Sequence, residues 1–474
     1  MLGRIIAAIW LSLAMVLGSI GTVQALTVAI SLNAQSDLEA SGVPGMAYGY
    51  VHEEPLDWFE LGVKRKGIDD PVTSETPFII GSVSKSFTAL AIMQLVEAGK
   101  LDLEAPLETY LEGFAGKQAG QATIAQLLSH TSGYSMLQGN EAQADLTQDA
   151  DALARRVRGL AEITPANRPG EVWAYSNANY QILGRVIEIV SGKPFDIYMT
   201  EEVLVPAGMA DSYVFDGERR PEAATGHRPF FFGKIANDES LTGRGSGPQG
   251  GIVATAKDMA TYLALMMNGE DDFLSAEGKA MMMRPASEAS PNYGFGWFLD
   301  SEQGLVFHSG ANPGFEALAT MRPSDRRAVV VLTNAGSGMA FGQTTELRNR
   351  VTAHYLDLPY SGESTSWGMI AGFLILALLP VIYLASMIWA WRKRTDLRAK
   401  SGAFGLFSLW FPLLSTGAAA WALLSLVPSL FGAPLSAIRL FQPDVGLAMI
   451  ASAVLGVVWA VFRLSLAYSR KQGR

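Results

Sequence analysis

Twenty-five consecutive residues, Trp367–Trp391, carry no charged side chain, and Arg-Lys-Arg follows them directly. A helix rises about 1.5 Å per residue, so this run can cross a hydrocarbon core of roughly 30 Å. Two more runs behave alike. Ser401–Ile438 is uncharged, with its best span at 403–427 and an exit marked by Pro428 and Pro434; the third span covers 445–467, broken by Arg463 alone. A buried core hairpin is the alternative, and it leaves the lengths and cationic flanks unexplained. The loop 392–400 holds five Lys/Arg, the tail 470–474 holds three and the loop 428–444 holds one. The positive-inside rule therefore assigns the first two to the cytoplasm, and everything before Trp367 is expected outside.

The N-terminus agrees with that orientation. Arg4 precedes an apolar stretch from Ile5, and Val-Gln-Ala ends at Ala25. This reads as a secretory signal over 1–25; an uncleaved anchor would leave the next domain on the same side. The expected organisation is an outer domain at 26–360, a polar linker at 361–366 and three spans, in the inner membrane of a bacterium. The outer domain then faces the periplasm or exterior, and the C-terminus the cytoplasm.

Charge separates along the same boundary. From Trp367 onward ten Lys/Arg face two Asp/Glu, a net of +8; the whole chain is −9, so the first 366 residues carry −17. An acidic outer domain speaks against nucleic acid as a partner. With no cysteine there is no thiol nucleophile, thiolate metal site or disulfide. His52, His130, His227, His308 and His354 are scattered without metal-ligand spacing. Neither a metal nor another cofactor is expected.

Residues 46–64 alternate as strands do. Helical periodicity dominates from Ser82 to about Gly269, and alternation returns in "YGFGWFLD", "GLVFHSG", "GFEALATMRP" and "RAVVVLTNAG". The fold class is α+β: strands from both ends of the domain share an antiparallel sheet flanked by helices, with a mainly helical part inserted. "GRGSGPQGG" (243–251) lacks the Gly-Lys-Ser/Thr of a phosphate loop and reads as a flexible loop entering a helix near Thr255. "PFFF" (229–232) reads as core packing, a wall of an acyl-chain pocket or a contact with lipid.

The chemistry starts at "GSVSKSFTALAIMQLVEAG" (81–99). Ser82 lies at a helix start and Lys85, at i+3, projects from the same face. A serine hydroxyl needs a base, and a lysine serves once burial favours its neutral form. Backbone N–H groups at the helix start can hold a developing oxyanion. The bland reading is a capping serine beside a solvated lysine. In "WAYSNANYQILG", Tyr175 is a candidate proton relay, or a packing residue, and Asn177 a candidate contact to Lys85 and to a substrate amide. "FHSGANPGF" places His308, Ser309 and Gly310 on a strand end, where the N–H of Ala311 can complete an oxyanion hole with that of Ser82. His308 otherwise reads as a turn histidine, and Asn312 as a contact to a polar side chain or a turn residue before Pro313.

In this order and spacing the chain resembles the serine penicillin-recognising hydrolases, and among them the branch of class C β-lactamases, D-aminopeptidases and esterases, the S12 peptidases. "TIAQLLSHTSGY", "GGIVATAKDMATYL" and "YGFGW" extend the resemblance over about residues 37–357. It implies Ser82 as acylated nucleophile, Lys85 as base, Tyr175 as second proton carrier and Asn177 as substrate contact. The pattern departs at His308, where many relatives carry the Lys of Lys-Thr-Gly that meets a substrate carboxylate. A narrower resemblance, through the three spans with "GWFLD", "HSGANPGF" and "GHRPFFFGK", is to membrane-bound prodrug peptidases of the colibactin-maturing type. It implies cleavage of an amide after a D-amino acid, in a small peptide or acylated small molecule. A D,D-peptidase, β-lactamase or esterase is the alternative enzyme, and a penicillin-binding sensor the alternative without turnover.

A reporter fused after residue 396 should lie in the cytoplasm and one near residue 435 outside. A tag at 396 that protease reaches in intact cells overturns the three-span topology.

Overall fold

The computed structural model describes residues 34–52, 56–339, 342–362 and 367–469. The leader at 1–25, part of the linker and the tail 470–474 lie outside the described residues.

Strands from both ends of the outer domain close one antiparallel sheet. β1 (Gly45–Val51) and β2 (Asp57–Gly62) open the domain; β8 (Phe298–Asp300), β9 (Leu305–Asn312), β10 (Phe315–Arg322) and β11 (Arg327–Thr333) end it. The order is β2-β1-β11-β10-β9-β8. β11 reads "RAVVVLT" because both of its faces are covered. Val330 and Leu332 join Ala47 and Ala319 in the main core, while Val329 and Val331 pack with Met46, Tyr48, Leu347 and Val351 on the other side. That is the period of two expected of a strand between helical layers. The Ala256–Met267 helix covers the first face and the Thr344–Tyr355 helix the second.

Between β2 and β8 lies the helical part. It also carries a small sheet of β3 (Phe78–Ile79), β7 (Ile252–Ala254) and β4 (Tyr213–Val214), and the hairpin of β5 (His227–Phe230) and β6 (Gly233–Ala236). At its centre the helix Ser84–Glu97 is buried on almost every side, with Phe87 stacked on Tyr262 at 4.1 Å.

Two expectations change. "YGFGWFLD" forms a strand only at Phe298–Asp300. Gly296 takes φ +79° against the Ser86 backbone, which turns Trp297 into the core. "GRGSGPQGG" is not a flexible loop. Arg244–Ser246 and Gly247–Gly250 make two short helical turns, and Gly245–Gly250 are buried beside the central helix.

Among the described residues, three helices are long and apolar enough to cross a membrane: Trp367–Arg392, Gly402–Leu430 and Pro443–Tyr468. The third packs on both others, with Gly456 admitting the ring of Tyr383. The bundle also touches the outer domain. Phe373, Val445 and Met449 cluster with Phe231 and Met339, and Gln442 Nε2 donates to Ser337 O at 2.6 Å.

Glycine lets β9 run against the turn that precedes the central helix. A Cβ on Gly310 would fall 1.9 Å from Ile80 O. Gly310→Ala should therefore destabilise the outer domain by about 2 kcal/mol, the scale of core overpacking. Gly113→Ala, with open space around it and no positive φ, should leave the unfolding temperature of the solubilised protein unchanged. Equal melting of the two variants refutes the close approach.

Candidate active site

Ser82 sits in a single 3₁₀ turn, Gly81–Val83, that feeds the central helix. One turn on, Lys85 is fully buried, and burial holds its pKa well below the ordinary lysine value. Its Nζ lies 2.8 Å from Asn177 Oδ1, 2.8 Å from Gln249 O and 3.0 Å from Ser82 Oγ. The first two partners only accept. A neutral amine has two N–H bonds for them and one lone pair left for the Ser82 hydroxyl. The geometry thus suits a lysine that takes a proton from Ser82.

Tyr175 closes the other side. Burial raises its pKa, so it is a neutral phenol at pH 7, and a hydrogen bond to Ser82 opposes that rise. Its ring centroid is 4.9 Å from Lys85 Nζ. Behind it the ring of His130 stands 4.4 Å away, at φ +61°. His130 Nδ1 accepts from Ser176 N at 3.1 Å, fixing the backbone between Tyr175 and Asn177. Burial and the neighbouring Lys85 keep His130 neutral.

β9 brings up the remaining candidates. The Gly310 and Ala311 backbone abuts Ile80–Ser82, so the N–H groups of Ser82 and Ala311 belong to one corner of the site. His308 is 1 % exposed, and its pKa is pushed down to about 3 by burial, then by Lys85. Its Nδ1 lies 2.7 Å from Ser309 O, which only accepts, so Nδ1 carries the proton. Nε2, 3.1 Å from Tyr293 Oη, then accepts from the phenol. Both ring nitrogens are engaged inside the protein. The half-buried Ser309 serves here through its carbonyl. Asn312 borders the catalytic cleft, yet its Oδ1 accepts from Thr242 Oγ1 at 2.7 Å and its Nδ2 donates to Gly250 O at 3.2 Å. These bonds brace the carboxamide and leave one N–H and one oxygen lone pair unassigned.

The cleft has a volume of about 650 Å³. Ser82, Asn177, Gln249, Gly250, Ala311 and Asn312 form one wall. Ile375, Leu376, Leu379, Leu423, Val427 and Met449, from all three spans, form the opposite one. Polar side chains rim the boundary. Asn177 Nδ2 donates to Asn140 Oδ1 at 2.8 Å, and Asn140 Nδ2 donates to Gly432 O, between the second and third spans, at 2.8 Å. A chain of hydrogen bonds therefore joins Lys85 to the membrane hairpin.

Sequence reasoning passed over Asn140, Gln249, Tyr293 and the membrane wall. Gln249 acts through its carbonyl, which leaves no side-chain signal. Asn140 ends a short helix whose capping box, Ser135 with Gln138, is readable, but its partners are distant in sequence.

The chain is similar to known proteins. The Beta-lactamase family model matches residues 31–354. "Penicillin-binding protein 4" of Amycolatopsis lactamdurans is 30 % identical over 326 residues, 63 % of this chain and 83 % of that one. The penicillin binding protein of Bacillus halodurans superposes with a TM-score of 0.56 at 28 % identity, over 64 % of this chain and 95 % of that one. The D-amino acid amidase of Ochrobactrum anthropi, at 23 % identity, shares the fold with a TM-score of 0.57 over 68 % of this chain and 96 % of that one. With the matched region covering the outer-domain side of the cleft, the chain belongs to the beta-lactamase family, as a serine hydrolase joined to three helices long and apolar enough to cross a membrane.

Proposed function

We propose that this protein is an extracytoplasmic, membrane-anchored peptidase that cleaves an amide after a D-amino acid, in a substrate bearing an apolar tail. The observation that carries the reading is the shared cleft, with a buried lysine hydrogen-bonded to a serine on one wall and the apolar spans on the other. Ser82 Oγ attacks the carbonyl carbon as Lys85 Nζ takes its proton. The oxyanion is held by the N–H groups of Ser82 and Ala311. Tyr175 passes a proton to the departing amine and is reprotonated from Lys85, so the acyl-enzyme forms without net charge. Water then repeats the sequence and releases the acid. The neutral, tyrosine-bound His308 offers no cation to a substrate carboxylate, which disfavours a D,D-carboxypeptidase or an efficient β-lactamase. The D-amino acid amidase neighbour supports the reading at the level of fold.

Ser82→Ala should abolish labelling by a fluorophosphonate while the protein remains folded. Lys85→Ala and Tyr175→Phe should each lower turnover by about a hundredfold or more. The double variant should fall well short of the product, because the two act as one unit. In the wild type, the rate should drop on the acid side as Lys85 gains a proton, at a pH below the ordinary lysine range, since only the neutral amine accepts from Ser82. Full activity of Tyr175→Phe on every substrate returns Tyr175 to a packing role.

Substrate preference is checked by offering an N-acyl-D-asparaginyl amide with two- and eight-carbon acyl groups, its L-epimer, a D-Ala-D-Ala peptide, nitrocefin and a short ester. The eight-carbon D-amide is expected to be cleaved best. Preference for the peptide or nitrocefin makes the protein a cell-wall enzyme or β-lactamase; preference for the ester makes it an esterase. Equal cleavage of both epimers removes the stereochemical part.

A further inference from the structure

The β5–β6 hairpin reaches from the outer domain to the bundle. At its base His227 N donates to Gly314 O and Asn334 O. Along β6 Lys234, paired with Pro229, is buried, and its Nζ donates to Gly336 O at 2.8 Å, Gly342 O at 2.9 Å and Thr344 Oγ1 at 2.6 Å. The hairpin is therefore fixed to the outer domain. At the tip Phe231 N donates to Asp444 Oδ2 at 2.8 Å, at the start of the third span, and from β5 Arg228 Nη1 donates to Leu440 O at 3.3 Å. The ring of Phe231 stands 6.1 Å from that of Phe373 in the first span.

Depth follows from helix geometry. The first span, Trp367–Arg392, has 26 residues and is about 39 Å long, against a hydrocarbon core of roughly 30 Å. Centred in the bilayer, it leaves about 4–5 Å beyond the core at each end, whereas Phe373 lies about 9 Å from its start. A ring packed against Phe373 is at the boundary of headgroups and acyl chains. Around that ring the hairpin exposes apolar surface: Phe230 is 36 %, Phe232 72 % and Ile235 39 % exposed. In water such a patch on a two-stranded ribbon is a liability, and a lone hairpin is marginal without cover.

We propose that the β5–β6 hairpin is a membrane-interface finger, with Phe230, Phe232 and Ile235 seated among the lipid headgroups and upper acyl chains of the leaflet on the catalytic side. The occupant of this surface is lipid, because the surface is continuous with helices that themselves face lipid. The finger adds a third rigid tie between the catalytic domain and the bilayer, beside the Asn140–Gly432 and Gln442–Ser337 contacts. The cleft between Ser82 and the spans is thereby held at a fixed height. This inference stands whether or not the substrate carries a tail.

The chain has no cysteine, so single cysteines can be spin-labelled in the full-length protein. Phe230→Cys and Phe232→Cys would be compared, in phosphatidylcholine–phosphatidylglycerol vesicles, with Ile68→Cys on the outer domain (54 % exposed) and Leu384→Cys on the first span (49 % exposed). Fluorophosphonate labelling of each variant reports that it is folded. The two hairpin sites should collide more with dissolved oxygen, and several-fold less with a water-soluble nickel chelate, than position 68, approaching position 384. Hairpin sites that read like position 68 overturn the proposal. So do sites shielded from both relaxants, which would mean that another protein segment covers the hairpin.

Discussion

A lysine amine kept dry next to a serine is the condition on which the rest of the site depends. Each unit by which burial lowers its pKa corresponds to about 1.36 kcal/mol of preference for the neutral form, and the surrounding fold must supply that dryness. The Ser84–Glu97 helix is accordingly central, covered by Tyr262, Trp297 and the 244–250 turns. Three glycines make the covering tight. A Cβ at Gly310 would meet Ile80, one at Gly296 would meet Ser86, and one at Gly250 would touch Gly81. Gln249 supplies the last acceptor through its carbonyl, whose position is set by packing and not by a rotamer.

The same dryness governs the two histidines. Burial is the first cause of the lowered pKa of His130 and of His308, so both imidazoles stay neutral. For His308 this has a chemical result. Its proton is committed to Ser309 O and its lone pair to Tyr293. A relative with lysine at that strand position can present a cation; here β9 lines the cleft with Ala311 and Asn312, neither of which is charged. Recognition on this side must therefore use groups that donate and accept without charge.

What the sequence discloses and what it conceals follows from contact range. Ser82 with Lys85 is a spacing of three on one helix, and Tyr175 with Asn177 flanks a helix start. Local periodicity exposes both, together with the strand alternation of β9–β11 and the three apolar runs. The sharing of one sheet by β1 and β11 is inferable because both read as strands buried on a face. The buried 244–250 turns escape, since glycine-rich composition is the same for a mobile loop and for a segment pressed against a helix. The Asn140–Gly432 bridge joins residues 292 apart, and no periodicity reports it. His308 escapes for another reason: its type suggested chemistry, while Tyr293, fifteen residues away, had already taken its free nitrogen.

The membrane wall of the cleft changes how binding should be reckoned. From water, each methylene moved to an apolar site contributes about 0.8 kcal/mol. An amphiphile already in the leaflet has made that transfer, and lipid tails are about as apolar as the Leu and Val side chains that line the spans. Moving the tail from lipid into the cleft therefore gains little free energy. What the cleft supplies is position. With Ile375, Leu379 and Met449 on one side and Ser82 on the other, a tail that enters the bundle sets the height and direction of the bond behind it. Holding a reacting carbonyl near a nucleophile replaces a bimolecular search with a local one. The spans would then act as part of the catalytic geometry, and the outer domain alone would keep the chemical groups while losing the means of presenting the substrate to them.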